Sequence, residues 1–151
     1  ANYNMDGQLV LAGLKADLES LVDTFKTAGA KRALVLDMSV ASHCELLQSA
    51  VENLKPYLFE YLNDEFLDVI SNVSAEVYNT KDEAIELLSS QLISPVKYKQ
   101  SIKAHDSKVD LYIEFGNGAV LKGLNKKSSE KPTLNVSDMK TLNETIEVLN
   151  D

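Results

Sequence analysis

The sequence predicts an α/β fold, in which short strands alternate with longer helices along most of the chain. Apolar, β-rich runs are separated by stretches whose apolar residues recur at helical spacing. Two capping boxes of the Ser/Thr-x-x-Glu type, Ser42–Glu45 and Thr80–Glu83, stand before such stretches. Such alternation predicts a mostly parallel sheet within one domain, or one large part of a domain, for 151 residues.

In the first forty residues, the predicted strands and helix follow one another with the shortest connections. A turn at Asp6-Gly7 precedes a predicted strand at 8–12, and a helix follows from Gly13 to Gly29. The apolar run 33–36 predicts a second strand. This strand–helix–strand pattern indicates a small subdomain over residues 1–40.

The middle of the chain alternates between helices and one apolar strand. Ser42 is predicted to begin a helix that Pro56 ends or kinks. Residues 66–73 predict a buried strand, and Thr80 begins a helix that reaches about Leu92. The remaining predicted elements are a helix from Ser94-Pro95 to about Ala104, a strand at 111–115, a turn at 116–118, a helix at 120–127, a strand around 134–136 and a helix from Ser137 to about Leu149.

Composition excludes several classes of protein. No apolar run reaches the roughly 18–20 residues that a membrane-spanning helix needs. A net charge of −8 argues against a general nucleic-acid-binding role. A single cysteine, Cys44, cannot form an internal disulfide, and with His43 and His105 far apart no zinc cluster is expected. We therefore expect a cytoplasmic protein without nucleic-acid or membrane partners.

The segment Val40 to Cys44 carries the most reactive side chains. If Ser42 is the N-cap, His43 is the first helical residue, where the partial positive charge of the helix end disfavours imidazolium. A neutral imidazole can act as a general base, although from spacing alone an exposed polar residue in the first turn is the favoured interpretation. The same dipole favours a thiolate at Cys44, but an inert buried thiol is the favoured interpretation.

Glycines and lysines give weaker signals. The run 116–118, Gly-Asn-Gly, follows a strand, but a dinucleotide fingerprint would need glycine at position 121, where Leu121 stands. The densest basic groups lie at 31–32 and among the lysines of 122–127. Such groups can bind phosphate or an acidic protein, or simply face solvent. The chain has neither a Gly-x-Ser-x-Gly elbow nor a P-loop.

Five segments in order resemble the motifs of one enzyme family, the malonyl-CoA:acyl-carrier-protein transacylases, with the related acyltransferase domains of fatty-acid and polyketide synthases. The similarity covers about residues 1–127, and five ordered motifs are far more specific than one. The matching segments are Asn2-Tyr3-Asn4 with Gly7-Gln8, Gly29 to Leu34 (GAKRAL), Val40 to Cys44 (VASHC), Gln91 to Val96 (QLISPV) and Glu114 to Leu124 (EFGNG with LKGL).

The resemblance implies a fold and an activity. Residues 41–151 would form the C-terminal part of an α/β-hydrolase-like acyltransferase domain, and residues 1–40 the second part of a ferredoxin-like small subdomain. The enzyme would transfer a malonyl group from coenzyme A to the phosphopantetheine thiol of acyl carrier protein in fatty-acid biosynthesis. The mechanism would be ping-pong transfer through a serine, with no cofactor.

The resemblance also assigns roles to residues of this chain. His43 matches the family's general base, and a backbone carbonyl near Gln91 would orient its imidazole. Asn2 and Asn4 match positions beside the pantetheine arm. The resemblance gives three further substrate-binding or docking positions, Lys31, Arg32 and Ser42. They would face the acyl group, the carrier protein or a coenzyme A phosphate.

The serine nucleophile, the arginine for the malonyl carboxylate and the oxyanion hole would lie in a missing N-terminal segment. We therefore expect this chain alone to be inactive. Its start at Ala1 resembles a cut within a longer chain, although removal of a tag or a genuine mature end would give the same start. Two departures stand out: Asn117 replaces the family's proline, and the segment 40–43 also resembles a methylmalonyl-type tetrapeptide. The surrounding motifs favour malonyl.

Two other functions remain open from sequence. The chain could bind acyl carrier protein or coenzyme A without chemistry, or Cys44 could serve a hydrolase. Burial separates the first of these from half of an enzyme, because strands completed by another segment would leave apolar side chains exposed here. The diagnostic residues are Leu9, Leu11, Leu67, Val69 and Ile113.

Overall fold

A computed structural model describes residues 1–150 and shows strands and helices distributed along the whole of that range. The predicted α/β class is confirmed. The strands are β1 (Asn2–Met5), β2 (Gln8–Val10), β3 (Glu65–Ile70), β4 (Val77–Thr80), β5 (Tyr112–Phe115) and β6 (Thr133–Val136). The α-helices are α1 (Lys15–Thr27), α2 (Gln48–Tyr61), α3 (Lys81–Gln91), α4 (Tyr98–His105), α5 (Val120–Asn125) and α6 (Met139–Asn150).

The strands pair as three separate two-stranded ladders. β1 with β2 and β3 with β4 are antiparallel, whereas β5 and β6 are parallel and connected through α5. An isolated parallel bridge joins Asn2 to Val96. A mostly parallel sheet is therefore not formed within residues 1–150, because each ladder stops at two strands.

The strand predicted at 33–36 is wrong for the described chain. Residues 32–38 have no regular structure, and Leu34 and Leu36 are 46% and 52% exposed. An extended segment becomes a strand only when a neighbour accepts its hydrogen bonds. No strand within residues 1–150 lies beside this one, so its β-propensity has no partner to act on.

Three predicted helix starts are displaced. The first regular turn after Ser42 is a short 3₁₀ helix at Glu45–Leu47 that leads into α2. α4 begins at Tyr98 rather than Ser94 because Val96 is used in backbone pairing with β1. α6 begins at Met139, where the Asp138 carboxylate, rather than Ser137, accepts the Thr141 N–H at 2.8 Å.

The predicted cap at Thr80 is confirmed. Its hydroxyl accepts the Glu83 N–H at 3.4 Å and donates to the Glu83 carboxylate at 2.6 Å. The hydroxyl thus satisfies one backbone donor of the first turn of α3, while the Glu83 carboxylate accepts from the hydroxyl rather than from the Thr80 N–H of a complete capping box. Residues only three positions apart therefore cap this helix.

Pro56 does not end α2, which continues to Tyr61. Proline removes one helical hydrogen bond. The half-buried stripe Val51, Leu54 and Leu58 continues past it, and α2 packs against α3. Packing along this stripe explains why the helix survives the missing donor.

Burial is confined to the second part of the described chain. Residues 1–70 contain no buried side chain. The strand predicted at 66–73 corresponds to β3, but the predicted burial is wrong, because Leu67 on this strand is 88% exposed. The buried residues are Ser71, Ala75, Tyr78, Ala84, Ile85, Ser89, Ser101, Ile102, His105, Asn125 and Thr145.

The diagnostic apolar residues are mostly exposed. Leu9, Leu11 and Val69 are 62%, 52% and 39% exposed, and Ile113 is half-buried. Together with the exposure of Leu67, these values favour sheets that are completed by another segment. They argue against a binding module that buries its own strands. None of the helices formed by residues 1–150 has the length and apolar character to cross a membrane.

Candidate functional site

His43 lies before the helical region rather than in its first turn. Its φ of 61° places a non-glycine residue in the left-handed region, and Cys44 is the N-cap of the following 3₁₀ helix. The predicted first-turn position is therefore wrong, and with it the argument from the helix dipole. Left-handed non-glycine residues are uncommon and concentrate at functional sites, where surrounding contacts hold them.

Two hydrogen bonds to the end of α3 hold His43. Its backbone N–H donates to the Leu92 carbonyl at 3.0 Å, and its Nδ1 lies 2.8 Å from the Gln91 carbonyl oxygen. A carbonyl oxygen only accepts, so Nδ1 carries the hydrogen. In the neutral ring Nε2 then has a free lone pair, which is the state a general base requires.

The same short segment also holds β1. The Val96 N–H donates to the Ala1 carbonyl at 2.7 Å, and the Tyr3 N–H donates to the Val96 carbonyl at 2.8 Å. Residues 91–96 therefore attach His43 at one end and the strand of Asn2 and Asn4 at the other. This connection brings segments from three distant parts of the sequence together.

Asn4 sits at an irregularity of the β1–β2 ladder. Tyr3 pairs with Leu9 and Met5 with Gln8, so Asn4 is the extra residue between them. A bulge of this kind re-aims a side chain away from the regular alternation. Both Asn2 and Asn4 are half-buried.

The other predicted site residues are less closely tied to His43. Lys31 and Arg32 are exposed at the start of the irregular segment after α1. Ser42 is half-buried, and its N–H donates to the Val40 carbonyl at 3.1 Å. Within residues 1–150 no hydrogen bond or ion pair joins Lys31 or Arg32 to the other predicted site residues.

Cys44 has a structural contact. Its Sγ donates to the Ala41 carbonyl at 3.3 Å, and the residue is half-buried. It occupies the N-cap and not the second helical position that the sequence suggested. Among the described residues, no group of three or more His, Cys, Asp or Glu side chains could hold a metal ion.

One charged cluster, at the β1–β2 turn, was not foreseen from sequence. Asp6, at the β1–β2 turn, accepts from Lys99 at 2.8 Å and from Lys103 at 2.9 Å. Hydrogen bonds and charge from both lysines lower the pKa of Asp6 to about 2. The partners lie more than ninety positions apart, so only the tertiary fold reveals the cluster.

Glu114 organises the glycine loop. The backbone N–H groups of Leu121 and Lys122 each donate to its carboxylate at 3.0 Å. Gly116 and Gly118 both have positive φ, which lets the chain turn back between β5 and α5. The favoured interpretation of this run as a turn is confirmed, and the carboxylate supplies the cap of α5.

A polar network ties α4 to the β5–β6 ladder below the site. The Tyr98 hydroxyl donates to Asn125 at 2.7 Å, and Asn125 donates to Thr133 at 3.1 Å. The Tyr112 hydroxyl donates to Asp106 at 2.8 Å, and burial together with that carboxylate raises the pKa of Tyr112 to about 12. These bonds fix α4, which carries the lysines that bind Asp6.

Comparison with known proteins places this arrangement in a family. No protein-family model matches the chain. The malonyl CoA-acyl carrier protein transacylase of Bacillus subtilis is 40% identical over 154 residues, covering 100% of this chain and 49% of that protein. The corresponding Haemophilus influenzae protein is 36% identical over 151 residues, covering 98% and 48%. The chain thus spans about half the length of the curated relatives it matches.

Solved structures agree. The crystal structure of malonyl-CoA:acyl carrier protein transacylase from Helicobacter pylori matches with a TM-score of 0.96 and 47% identity, over 100% of this chain and 49% of that one. A malonyl-transacylase in complex with a type II polyketide synthase acyl-carrier protein matches with a TM-score of 0.91 and 32% identity, over 98% and 49%. By sequence and by fold, the chain belongs to the malonyl-CoA:acyl-carrier-protein transacylase family and corresponds to the C-terminal half of its members.

Proposed function

We propose that this chain supplies the general base and part of the substrate-binding surface of a malonyl-CoA:acyl-carrier-protein transacylase. The carrying observation is the 2.8 Å contact between His43 Nδ1 and the Gln91 carbonyl, which leaves Nε2 free to take a proton. We assign the nucleophilic serine to the other half of the enzyme, which is consistent with the half-length match to relatives.

In the first half-reaction, Nε2 of His43 takes the proton of the serine hydroxyl as its oxygen attacks the malonyl thioester carbonyl. The carbon–sulfur bond then breaks, and the imidazolium returns the proton to the coenzyme A thiolate. The Gln91 carbonyl stabilises the imidazolium through Nδ1–H and holds the ring in place. The role of this carbonyl matches that of a triad carboxylate, without a second formal charge.

In the second half-reaction, His43 takes the proton of the phosphopantetheine thiol. The thiolate attacks the malonyl-serine ester, and His43 gives the proton back to the serine oxygen. Both steps need only the serine, the imidazole and oxyanion donors, so no cofactor enters the mechanism. This is covalent, ping-pong catalysis.

We assign residues 1–40 to the small subdomain and residues 41–151 to the large domain. Asn2 and Asn4 would contact the pantetheine arm. Their strand is anchored to the segment 91–96 that holds His43, which supports this assignment.

The carrier protein and coenzyme A are the proposed partners. Lys31 and Arg32 are exposed and available to an acidic carrier protein or a coenzyme phosphate, while Ser42 would line the acyl site next to His43. A related malonyl-transacylase has been captured with its acyl-carrier protein. We place the reaction in the cytoplasm, and a chain with a single cysteine fits a reducing compartment.

The test is His43→Ala in the complete enzyme, with Cys44→Ser as the matched neighbour. Loss of a general base lowers turnover by about 10²–10⁴-fold. Cys44→Ser should remain within a few-fold of wild type, because its thiol only bonds the Ala41 carbonyl. Turnover of His43→Ala within a few-fold of wild type would reject the base, and loss with Cys44→Ser would revive the cysteine mechanism.

Acyl specificity is measured in the same assay. Malonyl-CoA should be the preferred donor over methylmalonyl-CoA, because the motifs outside the segment 40–43 resemble the free-standing fatty-acid enzyme. A higher kcat/KM with methylmalonyl-CoA would assign the enzyme to the methylmalonyl type instead.

A further inference from the structure

We propose that Asp6, Lys99 and Lys103 form an ionic clamp that fixes the β1–β2 hairpin on α4 and positions Asn4 for substrate. The proposal rests on the proposed function, since it assigns positioning residues to that site. The three side chains belong to no motif of the family resemblance described above.

The clamp uses both oxygens of one carboxylate. Asp6 Oδ1 accepts from Lys99 Nζ at 2.8 Å, and Oδ2 accepts from Lys103 Nζ at 2.9 Å. Lys99 and Lys103 are four residues apart on α4, so they share one face of the helix. The hairpin turn at Asp6-Gly7 presents the carboxylate to that face.

The clamp holds the hairpin at its turn, far from the other attachment of β1. The other attachment of β1 is backbone pairing with Val96, at the opposite end of the strand. Exposed Leu9 shows that β2 has little support on its outer side from residues 1–150. Without the clamp, the hairpin would be free to pivot about the bonds to Val96. This motion would displace Asn4 relative to His43, whereas Asn2 lies at the bridge itself and would stay in place.

The clamp differs from the ion pairs within single helices because it joins residues more than ninety positions apart. The Lys99 side chain is 27% exposed, whereas those of Lys103 and Asp6 are 52% and 67% exposed. Lys140 and Glu144 on α6 are 83% and 59% exposed and lie 3.7 Å apart. This second pair is a matched control, because it is a surface pair without a distant partner.

The experiment compares Asp6→Asn, Lys99→Gln/Lys103→Gln, their combination and Lys140→Gln in the complete enzyme. We expect KM for malonyl-CoA to rise about three- to fivefold in the first two variants, with kcat little changed. The combination should be no worse than Asp6→Asn alone, because one clamp is lost in each case. Raising the ionic strength should move the wild-type KM towards that of Asp6→Asn.

Asp6→Glu, which keeps the charge, should recover part of the wild-type KM, whereas Lys140→Gln should match wild type. An unchanged KM in both Asp6→Asn and the double lysine variant, or additive effects in their combination, would overturn the clamp. Different results would reject the proposed function. They are a complete enzyme that does not catalyse transacylation, or a His43→Ala variant that retains it. If Asp6→Asn folds poorly, the double lysine variant decides the outcome alone.

Discussion

Residues 1–70 and residues 71–150 differ in what they bury, although both contain helices and strands. Every buried side chain of the described chain lies in the second region, and none lies in the first. His43 belongs to the first region, yet its ring and its backbone bind the carbonyls of Gln91 and Leu92 in the second. Contacts from the second region therefore hold His43 in its conformation, while the first region leaves its apolar side chains more exposed.

The largest expected difference between the regions is in packing. Ile85→Ala should lower the free energy of unfolding by about 2–5 kcal/mol, because the side chain is buried and leaves a cavity. Leu67→Ala should change it by less than about 0.5 kcal/mol in the isolated chain, because Leu67 is 88% exposed. Denaturant unfolding measures both.

In the complete enzyme the effect of Leu67→Ala should increase, because a further strand would cover β3. An equally small effect in the complete enzyme would contradict the idea that this surface is completed by the other half.

The two histidines, His43 and His105, differ in burial and in the effect expected from their substitution. His105 is buried, and its Nε2 lies 3.0 Å from the Ala75 carbonyl. His105→Leu should lower the free energy of unfolding by about 1–3 kcal/mol, because it removes a donor from a buried acceptor. Its kcat per folded molecule should stay near wild type, whereas His43→Ala should lose turnover while remaining folded. The reverse pattern would exchange their roles.

The cap of α3 gives a smaller effect. Thr80→Ala should lower the free energy of unfolding by about 1 kcal/mol, since it removes the bond to the Glu83 N–H. Thr27→Ala is the control, because the Thr27 hydroxyl only donates back to Asp23 at the end of α1. A Thr80 variant as stable as the Thr27 variant would show that tertiary packing, rather than the cap, fixes this start.

The smallest effect is a pH dependence within the second region. The pKa of Tyr112 is raised from 10 to about 12, so the folded state favours the neutral phenol. Its contribution to stability is complete below pH 10 and is lost as pH rises towards 12. Tyr112→Phe should flatten the alkaline stability profile in this window. An unchanged profile would show that Tyr112 does not titrate with unfolding.

Local signals predicted the elements that local chemistry controls. The Thr80 capping box, the glycine turn at 116–118 and the two strands that follow helices from α4 onward were all readable from sequence. Each depends on residues only a few positions apart. The α/β class followed from this alternation.

Long-range contacts explain the errors at the site. Ser42 has the pattern of an N-cap, but bonds from His43 to Gln91 and Leu92 hold the next residue in the left-handed region. Ser94-Pro95 has the pattern of a helix start, but Val96 pairs with β1. The strand at 33–36 lacks a partner within residues 1–150. No local pattern contains these partners.

Intact-mass measurement of the complete enzyme, cleaved between its halves after incubation with malonyl-CoA, locates the acylated residue. We expect a malonyl adduct on the other half and none on this chain of 16.7 kDa, with slow formation in His43→Ala. A malonyl adduct on this chain, with Cys44 as the first residue to map, would show that the nucleophile lies in this half and would reject the serine mechanism.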